Sequence, residues 1–127
     1  MELGLSLKIF SVLIGVIVMG TTIIGIAAMC LPRVAGKNFG IDPPPEGLPF
    51  VVALGVRDVF IGGSFLSAFY FDNWFIITAL SFLLSLVVLT DFWVLFKNGN
   101  KSVFYLMSHF CMAGISFIYG ILILCSL

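Results

Sequence analysis

Apolar residues fall along the chain in four nearly unbroken runs, at residues 7–31, 49–71, 74–96 and 103–127, separated by short polar stretches. Each run has about 22 to 25 residues, enough at 1.5 Å per residue to cross a hydrocarbon core of about 30 Å. In hydrocarbon every backbone N–H and C=O must be paired within the chain, which selects helices. Strands of a membrane barrel would alternate polar and apolar positions, and these runs do not. The pattern predicts an all-α fold, an integral membrane four-helix bundle, as one domain over residues 1–127. The first run is too long for a signal-peptide core and no Ala-x-Ala-like site follows it, so it is expected to be a retained helix.

The polar stretches read as connections. The first, "LPRVAGKNFGIDPPPEGLPF" (31–50), is the only long one. Its three prolines, Pro43, Pro44 and Pro45, hold the chain extended. Gly36, Gly40 and Gly47 permit turns. Phe39, Ile41, Leu48 and Phe50 are apolar enough to fold back onto the membrane face, and a loop of this length is where lids and binding segments occur. Asp42 and Glu46 are expected in water. In "FDNW" (71–74), Asp72 and Asn73 supply a turn and a helix cap, which makes the second and third helices antiparallel neighbours. Tyr70 and Trp74 flank it as interface aromatics do. In "KNGNKS" (97–102), Asn98 and Gly99 suit a helix stop and Ser102 a cap. No internal repeat is visible.

Composition agrees: 61% of residues are hydrophobic and 9% charged, with a formal net charge of zero. A soluble domain carries about 25% charged residues. The lack of a basic run excludes nucleic acid as a partner. Cys30, Cys111 and Cys125 are too widely spaced for a CxxC or metal motif and are odd in number, which disfavours disulfide and redox roles. They read as small hydrophobes. Arg33 and Lys37 follow the first run, Lys97 and Lys101 the third, and the other side has only Lys8. The positive-inside rule places loops one and three in the cytoplasm of a multi-pass protein, in the endoplasmic reticulum or plasma membrane.

Four ionisable residues interrupt the hydrocarbon: Arg57 and Asp58 in the second run, Asp91 in the third, His109 in the fourth. Such residues are costly in lipid and face the bundle interior or a wet cavity. Counted from the loop-one side, Arg57 lies about 12 Å deep, Asp91 about 8 Å and His109 about 9 Å. Three helices therefore place charge in one layer beneath loop one. Gly55, Asp58 and Gly62 share a face, as do Tyr105, His109, Met112, Ser116 and Gly120. Thr21, Gly25 and Ala28 make a small face on the first helix, suited to close packing.

Adjacent side chains on a helix diverge by about 100°, so Arg57 is expected to pair with Asp91, leaving Asp58 for His109. A carboxylate beside an imidazole is an acid–base arrangement. The expected catalytic set is Asp58, Asp91, His109 and Arg57. Either aspartate serves as acid or base, Arg57 orients a carboxylate or steadies an oxyanion, and His109 shuttles the proton. Tyr105, Thr22 and Ser116 are the candidate substrate contacts. Without a Gly-rich nucleotide loop or a metal-ligand cluster in the sequence, no cofactor and no metal are expected. The structural alternative is that the four charges are polar glue between helices.

The stretches "FG", "GLP", "GVRDVFIG", "TDFW" and "SHF" resemble those of a family of small four-helix membrane proteins, domain of unknown function 4267, over nearly the whole chain. Fungal and bacterial members of that family carry Gly-x-Arg-Asp in the second helix, an acid near the end of the third and a His early in the fourth. Here those positions are Gly55, Arg57, Asp58, Asp91 and His109. The residue before the acid, Thr90, departs from the expected Gly. The resemblance implies an association with secondary metabolism and a role on a lipophilic intermediate. The leading expectation is an isomerase or cyclase acting by acid–base catalysis on a small lipophilic polyketide or terpenoid. Its nearest chemical analogue, in roles alone, is the Asp–Arg–Asp set of small epoxide hydrolases and cyclases. The alternative is a non-enzymatic accessory subunit, or a small carrier that would need a homo-oligomer.

The orientation has a direct test. In a background without the native cysteines, cysteines at Lys37 and Lys101 should resist an impermeant thiol reagent added outside, and one at Asn73 should react. The reverse labelling pattern would overturn the orientation while leaving four crossings.

Overall fold

The computed structural model describes residues 4–98 and 102–127. The expected helix stop at Gly99 and the basic residue Lys101 lie outside the described residues. Five α-helices follow in order: α1 Leu5–Cys30, α2 Pro32–Asn38, α3 Leu48–Tyr70, α4 Trp74–Asn98 and α5 Val103–Leu124, with a 3₁₀ turn at Pro45–Gly47 before α3. Four of them (α3 with its preceding turn) are long and apolar enough to cross a membrane. The described residues contain no strand. The chain is an all-α membrane helical bundle.

Hydroxyl residues sit inside these helices without breaking them because each returns its hydrogen bond to the preceding turn. Ser11 donates to the Leu7 carbonyl, Thr22 to Val18, Thr78 to Trp74, Ser81 to Ile77 and Ser116 to Met112, all at 2.7–2.9 Å. This satisfies the hydroxyl where no water competes. Outward-facing positions carry large apolar side chains such as Leu5, Phe60, Leu66, Phe75 and Leu86. An apolar surface of that extent belongs in lipid, not water.

The four long helices form two closely packed pairs, α1 with α3 and α4 with α5; α1 meets α5, and α3 meets α4, less extensively. Glycine explains the first pair. A Cβ on Gly55 would lie 2.6 Å from the Gly25 carbonyl oxygen, and one on Gly25 would lie 2.7 Å from that of Gly55. Further along, Gly62 receives Thr22. Small residues let the backbones touch, and dispersion then acts over the whole contact.

The bundle differs along its length. Toward the α3–α4 turn, Ile14, Phe65, Ile77, Tyr119 and Ile123 are completely buried. Ser11 and Tyr119 share a hydrogen bond of 2.9 Å there, so the buried phenol is satisfied. The turn itself works as its sequence suggests. Asp72 takes a positive φ of 50°, the Asn73 amide donates to the Ala68 carbonyl, and the Asn73 side chain accepts from the Ile76 amide at 3.1 Å. Tyr70, Phe71 and Trp74 gather around it.

Loop one holds an element that its glycines and prolines concealed. Pro32 starts α2, and Gly40, at φ 92°, ends it. The Gly40 amide donates to Lys37 and the Ile41 amide to Gly36, the paired bonds of a Schellman stop. Pro43 packs on Gly36, while Gly40 sits against Leu95 of α4 and Tyr105 of α5. The short helix therefore packs on α1 and α3, and the Phe39–Gly40 segment that follows it reaches α4 and α5.

Gly55→Ala should open the α1–α3 contact and cost about 1–3 kcal/mol, the usual range for overpacking. Gly15→Ala, with no atom near the added methyl, should be neutral or slightly stabilising. Thermal unfolding of both variants in detergent checks the pair; equal loss in both would refute the backbone contact.

Candidate functional site

Below α2 all five helices surround a cavity of about 260 Å³. Its walls are largely hydrocarbon, with Ile24 and Ala27 from α1, Ile61 from α3, Leu84, Val87 and Val88 from α4, and Met112 from α5. Its polar side holds Arg57, Asp58, Asp91 and His109. The structure thus brings together the four ionisable residues that share a depth in the sequence.

Arg57 organises them. Its two terminal nitrogens donate to both oxygens of Asp91 at 3.0 and 2.9 Å, and its Nε donates to Asp58 Oδ1 at 2.9 Å. The expected Arg57–Asp91 bridge is present, and it is bidentate. Asp58 does not pair with His109 as expected: it binds the neighbouring Arg57, with Nη2 also at 2.8 Å. The 100° divergence of adjacent Cβ atoms did not prevent this. The arginine stem is long enough to turn back, and its planar fork offers five N–H groups in two directions. One guanidinium therefore serves two carboxylates.

That geometry reassigns roles. Asp91 is buried with both oxygens engaged. Arg57 directs three of its five N–H groups at the two carboxylates, so most of its donor capacity is spent inside the layer. Asp58 keeps one oxygen, Oδ2, with no hydrogen bond among the described residues. No buried side-chain oxygen or nitrogen among them lacks a partner. Oδ2 is therefore accessible, beside the cavity and a smaller void of about 40 Å³ under α2.

His109 reaches the cavity from α5. Its Nδ1 donates to the Tyr105 carbonyl at 2.8 Å. A carbonyl only accepts, so Nδ1 carries hydrogen, and in the neutral ring Nε2 is an acceptor. The Phe39 ring, at the end of α2, meets the imidazole edge-on with centroids 5.1 Å apart. Loop one has folded back onto the membrane domain through this residue, and Ala35 and Asn38 complete the cover.

The three candidate substrate contacts lie elsewhere. Thr22 packs against Gly62 in the α1–α3 contact and faces a groove away from the charges; Thr21, one step round the helix, lines the cavity instead. Ser116 is fully buried one to two turns beyond the cavity and donates to Met112. Tyr105 turns its ring toward Gly40 and contributes its carbonyl to His109. Ser108, which the sequence did not single out, lines the cavity and donates to the same Tyr105 carbonyl at 2.9 Å. Its adjacency to His109 was the available signal. Asn38 was hidden with α2. The described residues contain no group of three or more His, Cys, Asp or Glu placed to hold a metal ion.

Comparison with known families matches residues 18–123 to DUF4267, a domain of unknown function. The chain belongs to the DUF4267 family. The match takes in every charged residue of the cavity. No curated protein and no solved structure matches this DUF4267 chain.

The two aspartates should separate in stability. Asp91→Asn removes the charge that ties α3 to α4 and should cost about 3 kcal/mol, the low end for a broken buried pair, since Asp58 still faces Arg57. Asp58→Asn leaves the bidentate pair intact and should cost clearly less. Equilibrium unfolding of both in the same detergent is the measurement; a larger loss for Asp58→Asn would overturn the assignment of the strut to Asp91.

Proposed function

We propose that this DUF4267 protein is an intramembrane acid–base enzyme that moves a proton on a small lipophilic molecule, as an isomerase or cyclase does. The observation that carries the reading is one largely apolar cavity lined both by Asp58, whose Oδ2 has no hydrogen bond among the described residues, and by His109. Asp58 and His109 are the proton-exchanging groups. One removes a proton from the substrate and the other returns one at a second position, so the reaction is redox-neutral and rearranges bonds. Arg57 and Asp91 are positioning residues that hold Asp58 in place. Apolar walls bind a hydrocarbon skeleton and keep water from competing, and α2 with Phe39 covers the site. The volume sits just under the usual range of about 300–1,000 Å³ for ligand pockets, so the occupant is a small molecule or one end of a larger one. A polyketide or terpenoid intermediate has the required lipophilicity, and it would reach the cavity from the bilayer of the endoplasmic reticulum or plasma membrane.

A second reading rests on the Arg57–Asp91 bridge. It joins two helices that otherwise meet over a short stretch, which is what a structural strut does. On this reading the protein is a non-enzymatic membrane accessory subunit or a small carrier, and the charges serve packing.

Proton transfer to carbon can be tested without knowing the product. A lipophilic extract from cells lacking the protein is incubated in deuterium oxide with purified protein in nanodiscs. Mass spectrometry then reads deuterium fixed in carbon–hydrogen bonds. Wild-type protein should label a discrete compound, and Asp58→Asn and His109→Gln should lower the rate by about 10²–10⁴ while remaining folded. Activity lost only in proportion to folded protein, or an extract left unchanged by folded wild type, would turn the conclusion to the strut.

A further inference from the structure

Charge in the cavity does not balance. Arg57 contributes one positive charge; Asp58 and Asp91 together contribute two formal negative charges. Among the described residues, the only other ionisable one on the cavity wall is His109, which presents an acceptor when neutral. Of the other elements around the space, α1 supplies Thr21, Ile24 and Ala27, and α2 with its cap supplies Ala35, Asn38 and Phe39. The two cations of α2, Arg33 and Lys37, are exposed and are not part of the cavity wall, and Lys37 pairs with Asp42. The one guanidinium is engaged by three carboxylate oxygens, and the fourth, Asp58 Oδ2, is accessible.

We propose that the cavity binds a lipophilic amine in its ammonium form, with the N–H donating to Asp58 Oδ2 and the hydrocarbon part lying against Ile61, Leu84 and Val88. This rests on the reading of the cavity as a substrate site and narrows its occupant to a lipophilic intermediate that carries a basic nitrogen. Three features favour this chemistry over the alternatives. An anionic ligand would meet an excess of negative charge and an arginine already in use, so carboxylates and phosphates are rejected. A bare inorganic cation needs several oxygen ligands around it; both Asp91 oxygens are taken by Arg57, and the described residues hold no group of three or more His, Cys, Asp or Glu placed for a metal. A neutral lipid fits the walls but leaves the accessible carboxylate oxygen without a donor, which is costly in a space of low polarity. An ammonium supplies both the compensating charge and the donor. Its position also explains the edge-on imidazole: His109 Nε2 offers a second acceptor on the same space, and Phe39 closes over the pair.

Three probes of similar size test this on wild-type protein in nanodiscs of zwitterionic lipid: phenethylamine, phenethyl alcohol and 3-phenylpropionate. Binding is read by saturation-transfer NMR and by competition, with empty nanodiscs as the blank for partition into lipid. The amine should bind at least tenfold tighter than the alcohol, and the carboxylate should show no specific binding. In Asp58→Asn, whose folding is checked by thermal unfolding, that preference should vanish and the alcohol should bind as well as the amine. Equal binding of amine and alcohol to wild type would overturn the ammonium proposal and leave the cavity standing as a site for neutral molecules. Preference for the carboxylate would show Arg57 to be open to ligands, and would overturn the proposal too. Binding of none of the three by folded wild type would remove both the proposal and the substrate-site reading. The wild-type selectivity decides the matter even where Asp58→Asn does not accumulate.

Discussion

A single guanidinium, Arg57, shared between two carboxylates on different helices, is the interaction on which the cavity end of this bundle depends. Charges inside a membrane are expensive, and an arginine keeps its charge there. It must therefore be paired, and the pairing fixes geometry. The stem of Arg57 leaves α3, crosses to α4 and meets Asp91 in a planar fork, while Nε turns to Asp58 on its own helix. Helices α3 and α4 are held at the far end by a tight turn and near the charges by this bridge. They do not need to pack closely in between. The space that remains is the cavity.

Close packing elsewhere makes that opening tolerable. The Gly25–Gly55 contact brings α1 and α3 backbone to backbone, and a Cβ on Gly25 would lie only 3.0 Å from the Cβ of Asp58. Asp58 is thus held at its root by α1 and at its tip by Arg57, which leaves little freedom for the one carboxylate with an accessible oxygen. The dense half of the bundle, around Ile14, Phe65, Ile77 and Tyr119, contributes the apolar burial and dispersion that offset the looser half. The same division is found in many binding proteins, where a well-packed scaffold carries a less stable site.

How much of this could be read in the sequence follows from which physical signals are local. The four long apolar helices were legible because lipid demands unbroken apolar runs of fixed length. The shared depth of Arg57, Asp91 and His109 was legible because helical rise is constant. The α2 helix was not, since Gly36 and Gly40 argue for turns locally and only the docking of Pro43, Leu95 and Tyr105 makes a helix the better solution. Pairing was half legible. Arg57 with Asp91 followed from charge and depth, but the return of Nε to Asp58 depends on a rotamer, which no sequence pattern encodes. Thr22 and Thr21 show the remaining difficulty: one residue is 100° of helix, and rotation about the axis is set by which neighbour offers a glycine. Gly62 takes Thr22, so Thr21 faces the cavity.

The division of roles between the two aspartates follows from coordination, not from their positions in the chain. Asp91 has spent both oxygens on Arg57 and is buried, so any change in its proton count would break the bridge between helices. Asp58 has spent one oxygen, and a proton or a donor can arrive at the other without disturbing Nε. A site that exchanges charge with a ligand needs one group that may change state and another that must not. On the proposed reading the Arg57–Asp91 pair is the fixed member, and Asp58 and His109, which both line the cavity, are the variable ones. A structural strut alone would require only the first pair. The second carboxylate, costly to place at this depth, belongs to a residue that lines the cavity and keeps one oxygen without a hydrogen bond among the described residues, and that is the physical reason to read the layer as a site.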